Sequence, residues 1–264
     1  MKIGVIYNKY IENEQAVVDT VHQSLISHSD FEIMDSENIV GEFDFVFAIG
    51  GDGTIIKVAK SFAGTKTPVM GINLGRLGFL AQSDLANLTT IIKTVIAEKY
   101  ITESRVLLES DYDFALNDFV IKGSEQARTT KFVIKINDEV TSEYIADGLI
   151  ISTPTGSTAY CLSAGGPIIS PKVPAFVIVP ICPHTLTARP LVVPDTEKIE
   201  IASAMGEAPL TIACDGHDLS NTTDSIVIKK SSKQVLLAFL EDNRFYKVLS
   251  KKLYWGVSPC NKTL

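Results

Sequence analysis

Phe45-Val46-Phe47-Ala48-Ile49-Gly50-Gly51-Asp52-Gly53-Thr54 is the stretch on which the reading of the fold turns. Its first half is a continuous apolar run, the pattern of a strand buried on both faces of a parallel sheet. Its second half places three glycines, a carboxylate and a hydroxyl where that strand should give way to a helix carrying Ile55, Ile56, Val58, Ala59 and Phe62. A turn of this kind offers unpaired helix N–H groups to an anion, and the helix dipole adds to the attraction. Gly50, Gly51 and Gly53 let the backbone bend and let a phosphate approach without meeting a Cβ. Asp52 is the unusual member, because a carboxylate repels phosphate unless a cation is near or the carboxylate takes part in the chemistry. The turn therefore points to phosphoryl transfer more than to nucleotide holding. It is neither a Walker A loop nor a GxGxxG fingerprint. The plainer reading is a glycine turn with Asp52 capping the next helix. Thr54 completes the turn, and Lys57, one helical turn on, faces either a phosphate or solvent.

Working outward, residues 2–7, 31–34, 43–49 and 68–72 read as strands. Helical spacing follows at Ala16, Val17, Val21, Leu25 and Ile26, and again over Asp84–Tyr100, which opens on a candidate Asp cap. Strands alternating with helices predict a Rossmann-like parallel sheet with helices on both faces over residues 1 to about 100. From Ile101 the segments are short and β-branched, with Asn137-Asp138-Glu139 as a hairpin turn and one helix at about Ser157–Leu162. Residues 101–234 are expected to form an all-β, sandwich-like domain of two packed sheets. The segment from about 235 to 264 is expected to return to the first domain.

Composition bounds the function. The 264 residues, 45% apolar and 21% charged, suit a large globular core. A formal net charge of −7 lacks the basic surface that nucleic acid or an anionic membrane requires. Cys161, Cys182, Cys214 and Cys260 form no CxxC pair, and His22, His28, His184 and His217 have no ligand-like spacing, so a protein-bound structural metal is not expected. Scattered thiols fit a reducing cytosol. The N-terminus carries no signal-peptide pattern, and the uncharged run 148–171 is broken by Pro154, Gly156, Gly165, Gly166 and Pro167, which reads as a buried loop-forming site rather than a membrane span.

Two further motifs carry chemistry. Asn117-Asp118 interrupts an apolar strand; a neutral amide beside a carboxylate suits the vicinal hydroxyls of a ribose, whereas the plainer reading is a bulge or turn. The run Asp147–Pro167 places hydroxyls at 152, 153, 155, 157, 158 and 163, a neutral hydrogen-bonding surface suited to an amide, ribose or base. Tyr160 is placed to stack on a base. Ordinary turn and cap chemistry is the competing reading. Asn73–Leu80 follows a strand of the first domain, and Asp215-Gly216-His217 reads most simply as a hairpin turn.

Together with Pro183–Leu191, these motifs closely resemble the NAD kinases, in order from about residue 3 to residue 230. The glycine turn alone is shared with diacylglycerol kinases and, more distantly, 6-phosphofructokinases. The resemblance implies phosphorylation of the adenosine ribose 2′-hydroxyl of NAD by ATP or polyphosphate, giving NADP, with a divalent cation (Mg²⁺) carried on the nucleotide phosphates. It also implies a cytosolic homotetramer or homodimer. By motif, Asp52 accepts the proton, and Gly53 with its neighbours Gly50, Gly51 and Thr54 approaches the phosphates, while Lys57 stays a candidate from its spacing alone. Leu77 and Phe79 line the crevice, and Asn117 and Asp118 hold an NAD ribose. Thr158, Ala159, Tyr160 and Ser163 contact the adenine and the rest of the dinucleotide, Asp147 can serve a neighbouring subunit's site, and Asp215 joins the binding set. Asp118 stands where many members have Glu, and Ile145 where several have a basic residue. The alternatives left open are a related glycine-loop kinase acting on a lipid or sugar phosphate, an NADP phosphatase, and a non-catalytic NAD(P)-sensing module.

Overall fold

The computed structural model describes residues 1–26, 30–74, 78–125, 128–241 and 244–253. Two compact units emerge: Met1–Ser104 with the chain from Val235 onward, and Arg105–Gln234.

The first unit runs β1 (Ile3–Tyr7), α1 (Glu14–Leu25), β2 (Phe31–Asp35), β3 (Phe45–Ile49), α2 (Asp52–Ser61), β4 (Pro68–Asn73), β5 (Ala81–Asp84) and α3 (Leu88–Ile96). β1 pairs in parallel with β2 and β3, and β3 with β4. All five residues of β3 are buried, as a continuous apolar strand in the middle of a parallel sheet requires. Gly71 of β4 has a packing role: a Cβ there would stand 2.4 Å from Ile55 Cδ1 of α2. Glycine thus lets the helix that follows the glycine turn lie close on the sheet. The core collects Ile3, Val5, Phe45, Phe47, Met70 and Ile72 from the strands with Val17, Val21, Ile91 and Val95 from the helices. One boundary differs from expectation. Asp84 ends β5, paired with Asn73, and α3 starts at Leu88 after a single turn of 3₁₀ helix.

The second unit contains β6 (Ile101–Glu109, entering from the first), β7 (Phe114–Ala115), β8 (Asp118–Gly123), β9 (Thr130–Ile136), β10 (Glu139–Ala146), β11 (Gly148–Ser152) and the single-turn helix α4 (Tyr160–Ser163). It continues with β12 (Ala175–Ile181), β13 (Leu191–Pro194), β14 (Ile199–Ser203), β15 (Leu210–Cys214), β16 (His217–Thr223) and β17 (Ser225–Phe239); α5 (Arg244–Leu253) closes the described chain. One antiparallel sheet has the order β13-β12-β11-β8-β15-β16, and β10, β9, β14 and β17 build a second. Phe119, Leu149, Ile151, Phe176 and Ile212 of the first sheet pack on Phe132, Ile134, Ile199, Ile201 and Ile226 of the second. Alternation sends Val120, Ile150, Val177 and Val179 to the opposite face, where they meet Cys161 of α4. Asn137 and Asp138, with φ of 51° and 71°, form the two-residue hairpin turn between β9 and β10. β17 is longer than its sequence suggests, and its Leu236 and Leu237 pair in parallel with Pro68 and Val69 of β4.

Candidate active site

In the first unit the glycine turn sits at the carboxyl end of β3, where open parallel sheets bind their ligands. Gly50 takes a φ of +156°, and a Cβ there would come within 2.6 Å of Thr54 Oγ1. Gly51 and Gly53 differ: a Cβ on either would meet nothing within 4 Å. They flank the start of α2 and leave its first amides open to the surroundings. Asp52, the first residue of α2, turns its carboxylate toward a second loop. Its Oδ2 accepts the Phe79 N–H at 2.8 Å and its Oδ1 accepts the Leu80 N–H at 3.2 Å. Gly78 makes this possible, because a Cβ on it would lie 1.9 Å from Asp52 Oδ1. Two amides thus fix the direction of the carboxylate, and its remaining lone pairs can still accept a proton.

Of two lysines in this unit, the one on α2 is engaged by Glu37 and the one on α5 bears on this loop. Lys57 Nζ pairs with Glu37 Oε1 at 2.7 Å, on a half-exposed surface where such a pair is worth ~1 kcal/mol or less. Lys252 of α5 stands over the Phe79 ring, 4.7 Å from its centroid. Leu77 lies outside the described residues. The Asn73–Leu80 motif includes this loop, whose two contributions to Asp52, the space at Gly78 and the amides of Phe79 and Leu80, carry no side-chain signature.

In the second unit Asn117 immediately precedes β8 and Asp118 is its first residue. Asp118 is 96% buried, at 4% exposure. Among the described residues no hydrogen-bond donor reaches its carboxylate or the Asn117 side-chain amide. Burial first, and the negative charge of Asp215 second, push the Asp118 carboxyl from its ordinary 3.8 up to about 7. Asp118 is the buried member and Asn117, half-buried, stands beside it toward the surface, so the pair is open to a polar group that enters.

The hydroxyl-rich run departs from its expected use. Ser152, Thr153, Thr155 and Ser157 are buried. Thr153 Oγ1 donates to Leu116 O at 2.5 Å, and the Thr153 N–H donates to Asn117 O at 2.8 Å. Ser157 Oγ donates to Pro154 O at 2.7 Å and accepts the Ile169 N–H at 3.0 Å. Gly156 lies so close that a Cβ would come within 2.2 Å of Asn117 O. The hydroxyls of Ser152 and Thr153 therefore tie the loop to the Leu116 and Asn117 carbonyls, and that of Ser157 ties it to Pro154 and Ile169, so these groups serve the protein's own backbone. What remains accessible is Thr158 and Ala159, half-buried, with Tyr160 and Ser163 exposed. Tyr160 and Asp147 line one cavity of about 1220 Å³ on the outer face of the six-stranded sheet, together with Val120, Lys122, His184 and Ala213. Asp215 keeps its side chain on backbone amides, accepting from Leu116, Asn117 and Asp118.

Buried carboxyls of this kind have a sign-definite effect on stability. The folded chain holds the Asp118 proton more tightly than the unfolded chain does. Its contribution is therefore fully present below about pH 4 and lost as pH rises through about 7. At pH 8 the burden is on the order of 2–4 kcal/mol. Asp118→Asn should accordingly raise the melting temperature at pH 8 by roughly 4–8 °C, with a smaller gain at pH 5. A thermal scan at the two pH values checks this, and an equal or reverse change at both would contradict it.

Comparison with known proteins places this geometry. Residues 5–100 match the ATP-NAD kinase N-terminal domain and residues 116–239 the ATP-NAD kinase C-terminal domain. The chain is 41% identical over 235 residues to the NAD kinase of Prosthecochloris aestuarii, covering 84% of this chain and 81% of that protein. It is 35% identical over 260 residues to the NAD kinase of Flavobacterium johnsoniae, covering 94% and 88%. Among solved structures, a yeast NADH kinase complexed with NADH superimposes with a TM-score of 0.83 at 25% identity, covering 98% of this chain and 89% of the other. An Archaeoglobus fulgidus NAD kinase in complex with ATP shares the fold with a TM-score of 0.80 at 24% identity, covering 96% and 99%. The glycine turn with its held carboxylate and the Asn117-Asp118 pair thus stand within two matched kinase domains, and the chain belongs to the NAD kinase family.

Proposed function

We propose that the chain makes NADP by transferring the γ-phosphoryl group of ATP, or a phosphoryl group of polyphosphate, to the 2′-hydroxyl of the adenosine ribose of NAD, with Asp52 as general base. The 2′-hydroxyl gives its proton to Asp52, its oxygen bonds to the γ-phosphorus, and the bond to the leaving oxygen of ADP breaks. Such reactions need positioning and charge neutralisation more than covalent help from the protein. One observation carries the reading: a carboxylate fixed by two amides at a helix start whose flanking glycines leave open space. The first amides of α2 suit the phosphates. The partnerless Asn117 and Asp118 side chains suit the hydroxyls of an NAD ribose, and Thr158, Ala159, Tyr160 and Ser163 the base and the rest of the dinucleotide. Asp147, exposed, is assigned to a neighbouring subunit's site in a cytosolic homo-oligomer, dimer or tetramer. Exposed apolar Ile145, Leu191 and Val192 support that assembly, and light scattering on the pure protein checks it. The divalent cation enters with the donor, on its phosphates.

The test is NADP formation by the pure protein with Mg²⁺, each donor in turn, and NAD or NADH as acceptor. Product with NAD and one of the donors is expected. A folded protein that forms none with either sinks the proposal. In the same assay, Asp118→Asn should raise the KM for NAD by roughly 10–100-fold, the worth of a hydrogen bond to a charged acceptor.

A further inference from the structure

Asp215 occupies the first position of the two-residue turn between β15 and β16, with φ of 48°, and Gly216 follows at 82°. Positive φ at both positions is the hairpin geometry that Asp-Gly favours, so the turn by itself is ordinary. Its side chain is not. Asp215 Oδ1 accepts the N–H groups of Asn117 at 2.7 Å and Asp118 at 3.2 Å, and Oδ2 accepts that of Leu116 at 3.0 Å. In return the Asp215 N–H donates to Asp118 O at 3.0 Å. A carboxylate nearly a hundred residues away along the chain thus closes the backbone of the segment that presents Asn117 and Asp118. From the other side, Thr153 and Ser152 hold the carbonyls of Leu116 and Asn117. The strand start is clamped on its amides by Asp215 and on its carbonyls by the loop.

We propose that Asp215 is a positioning residue for the reaction. It acts through the Leu116–Asp118 backbone, setting the direction of the Asn117 and Asp118 side chains toward the dinucleotide, and not by touching substrate. This rests on the reading of the function given above. The same carboxylate is also a charge beside Asp118. The groups facing Asp118 are Asp215 from the β15–β16 turn and the Cys161 thiol of α4, with neutral Ser152 opposite it on β11. Burial pushes the Cys161 thiol to about 11, so it stays neutral over the working range. Asp215 is therefore the one neighbour among these whose removal changes the charge felt by Asp118.

Asp215→Asn is the informative variant. The amide keeps one acceptor oxygen but turns a donor toward a backbone N–H, and it removes the negative charge. In the full chain we expect the KM for NAD to rise about 10-fold while the KM for ATP stays within about 2-fold. The pH below which NAD binding weakens should move to lower pH than in the wild type, because the charge that helps hold the Asp118 proton is gone. Against an Asp118→Asn background, Asp215→Asn should produce no shift in the pH profile. Amide exchange at 116–118 should accelerate at least about 10-fold, while the core strands keep their protection. An unchanged KM for NAD and pH profile in Asp215→Asn overturns the proposal, as does a rise of both KM values together. A wild-type chain that makes no NADP sinks the functional reading alone; amide exchange at 116–118 then decides the clamp, and unchanged exchange overturns it.

Discussion

Asp52→Asn is expected to lower the rate of NADP formation by roughly 10²–10⁴-fold while leaving the affinity for NAD close to that of the wild type. The amide has the carboxylate's shape but cannot take a proton. It also retains one of the two acceptors that face Phe79 and Leu80, so the loop loses one hydrogen bond and gains one opposed pair of donors. That change costs about 1–3 kcal/mol, an amount a domain of ordinary stability survives. The variant should therefore melt a few degrees early, yet remain folded at assay temperature. Single-turnover kinetics with saturating NAD and ATP, beside calorimetry of NAD binding, separate the two effects. Turnover within about tenfold of wild type would remove Asp52 from the role of base.

The second large effect is expected at Gly78, a residue that no chemistry would single out. A methyl group at this position needs the space occupied by Asp52 Oδ1, 1.9 Å away. The obstructing atom is the tip of a side chain, so the chain relieves the clash by swinging the carboxylate away and not by unfolding. Gly78→Ala should keep its secondary structure and most of its stability but lose roughly 10²-fold or more in turnover, since a displacement near 1 Å at a reacting group costs that much. Gly156→Ala makes the contrast, because its Cβ would meet a backbone carbonyl, Asn117 O, which cannot swing aside. Circular dichroism, melting temperature and turnover of Gly78→Ala settle the matter together. A folded and fully active variant shows that the carboxylate tolerates displacement.

The glycine turn, the βα alternation and the change to short strands near Ile101 were legible because each depends on neighbours in sequence. So was the Asn137-Asp138 turn, where two adjacent residues decide the geometry. Long-range contacts were not. Nothing near Asp215 announces that its carboxylate seeks the amides of residues 116–118, and a hairpin reading of Asp-Gly is complete without it. The hydroxyls of Ser152, Thr153 and Ser157 misled for a related reason. A hydroxyl in a loop serves a ligand or its own backbone equally well, and only the fold decides; here it turned them inward. The full length of β17 is hard to read from sequence because Lys229, Lys230 and Lys233 break its apolar alternation, an interruption a strand tolerates where those side chains meet solvent.

The course of β17 bears on how this gene can be cut. The β-rich unit, residues 105–234, is one uninterrupted stretch of the chain, whereas the glycine turn belongs to a unit made of two pieces of it. In the language of protein engineering, the β-rich unit is an insert and the α/β unit its split host. An expression fragment ending at residue 104 would carry the whole glycine turn, yet Pro68 and Val69 of β4 would lose the β17 residues that pair with them on the side away from β3. A bare apolar edge of that kind invites other chains to add to it. A minimal version of the α/β unit therefore has to splice residue 104 to residue 235, and a truncation library that keeps only the front of the gene will select for aggregation.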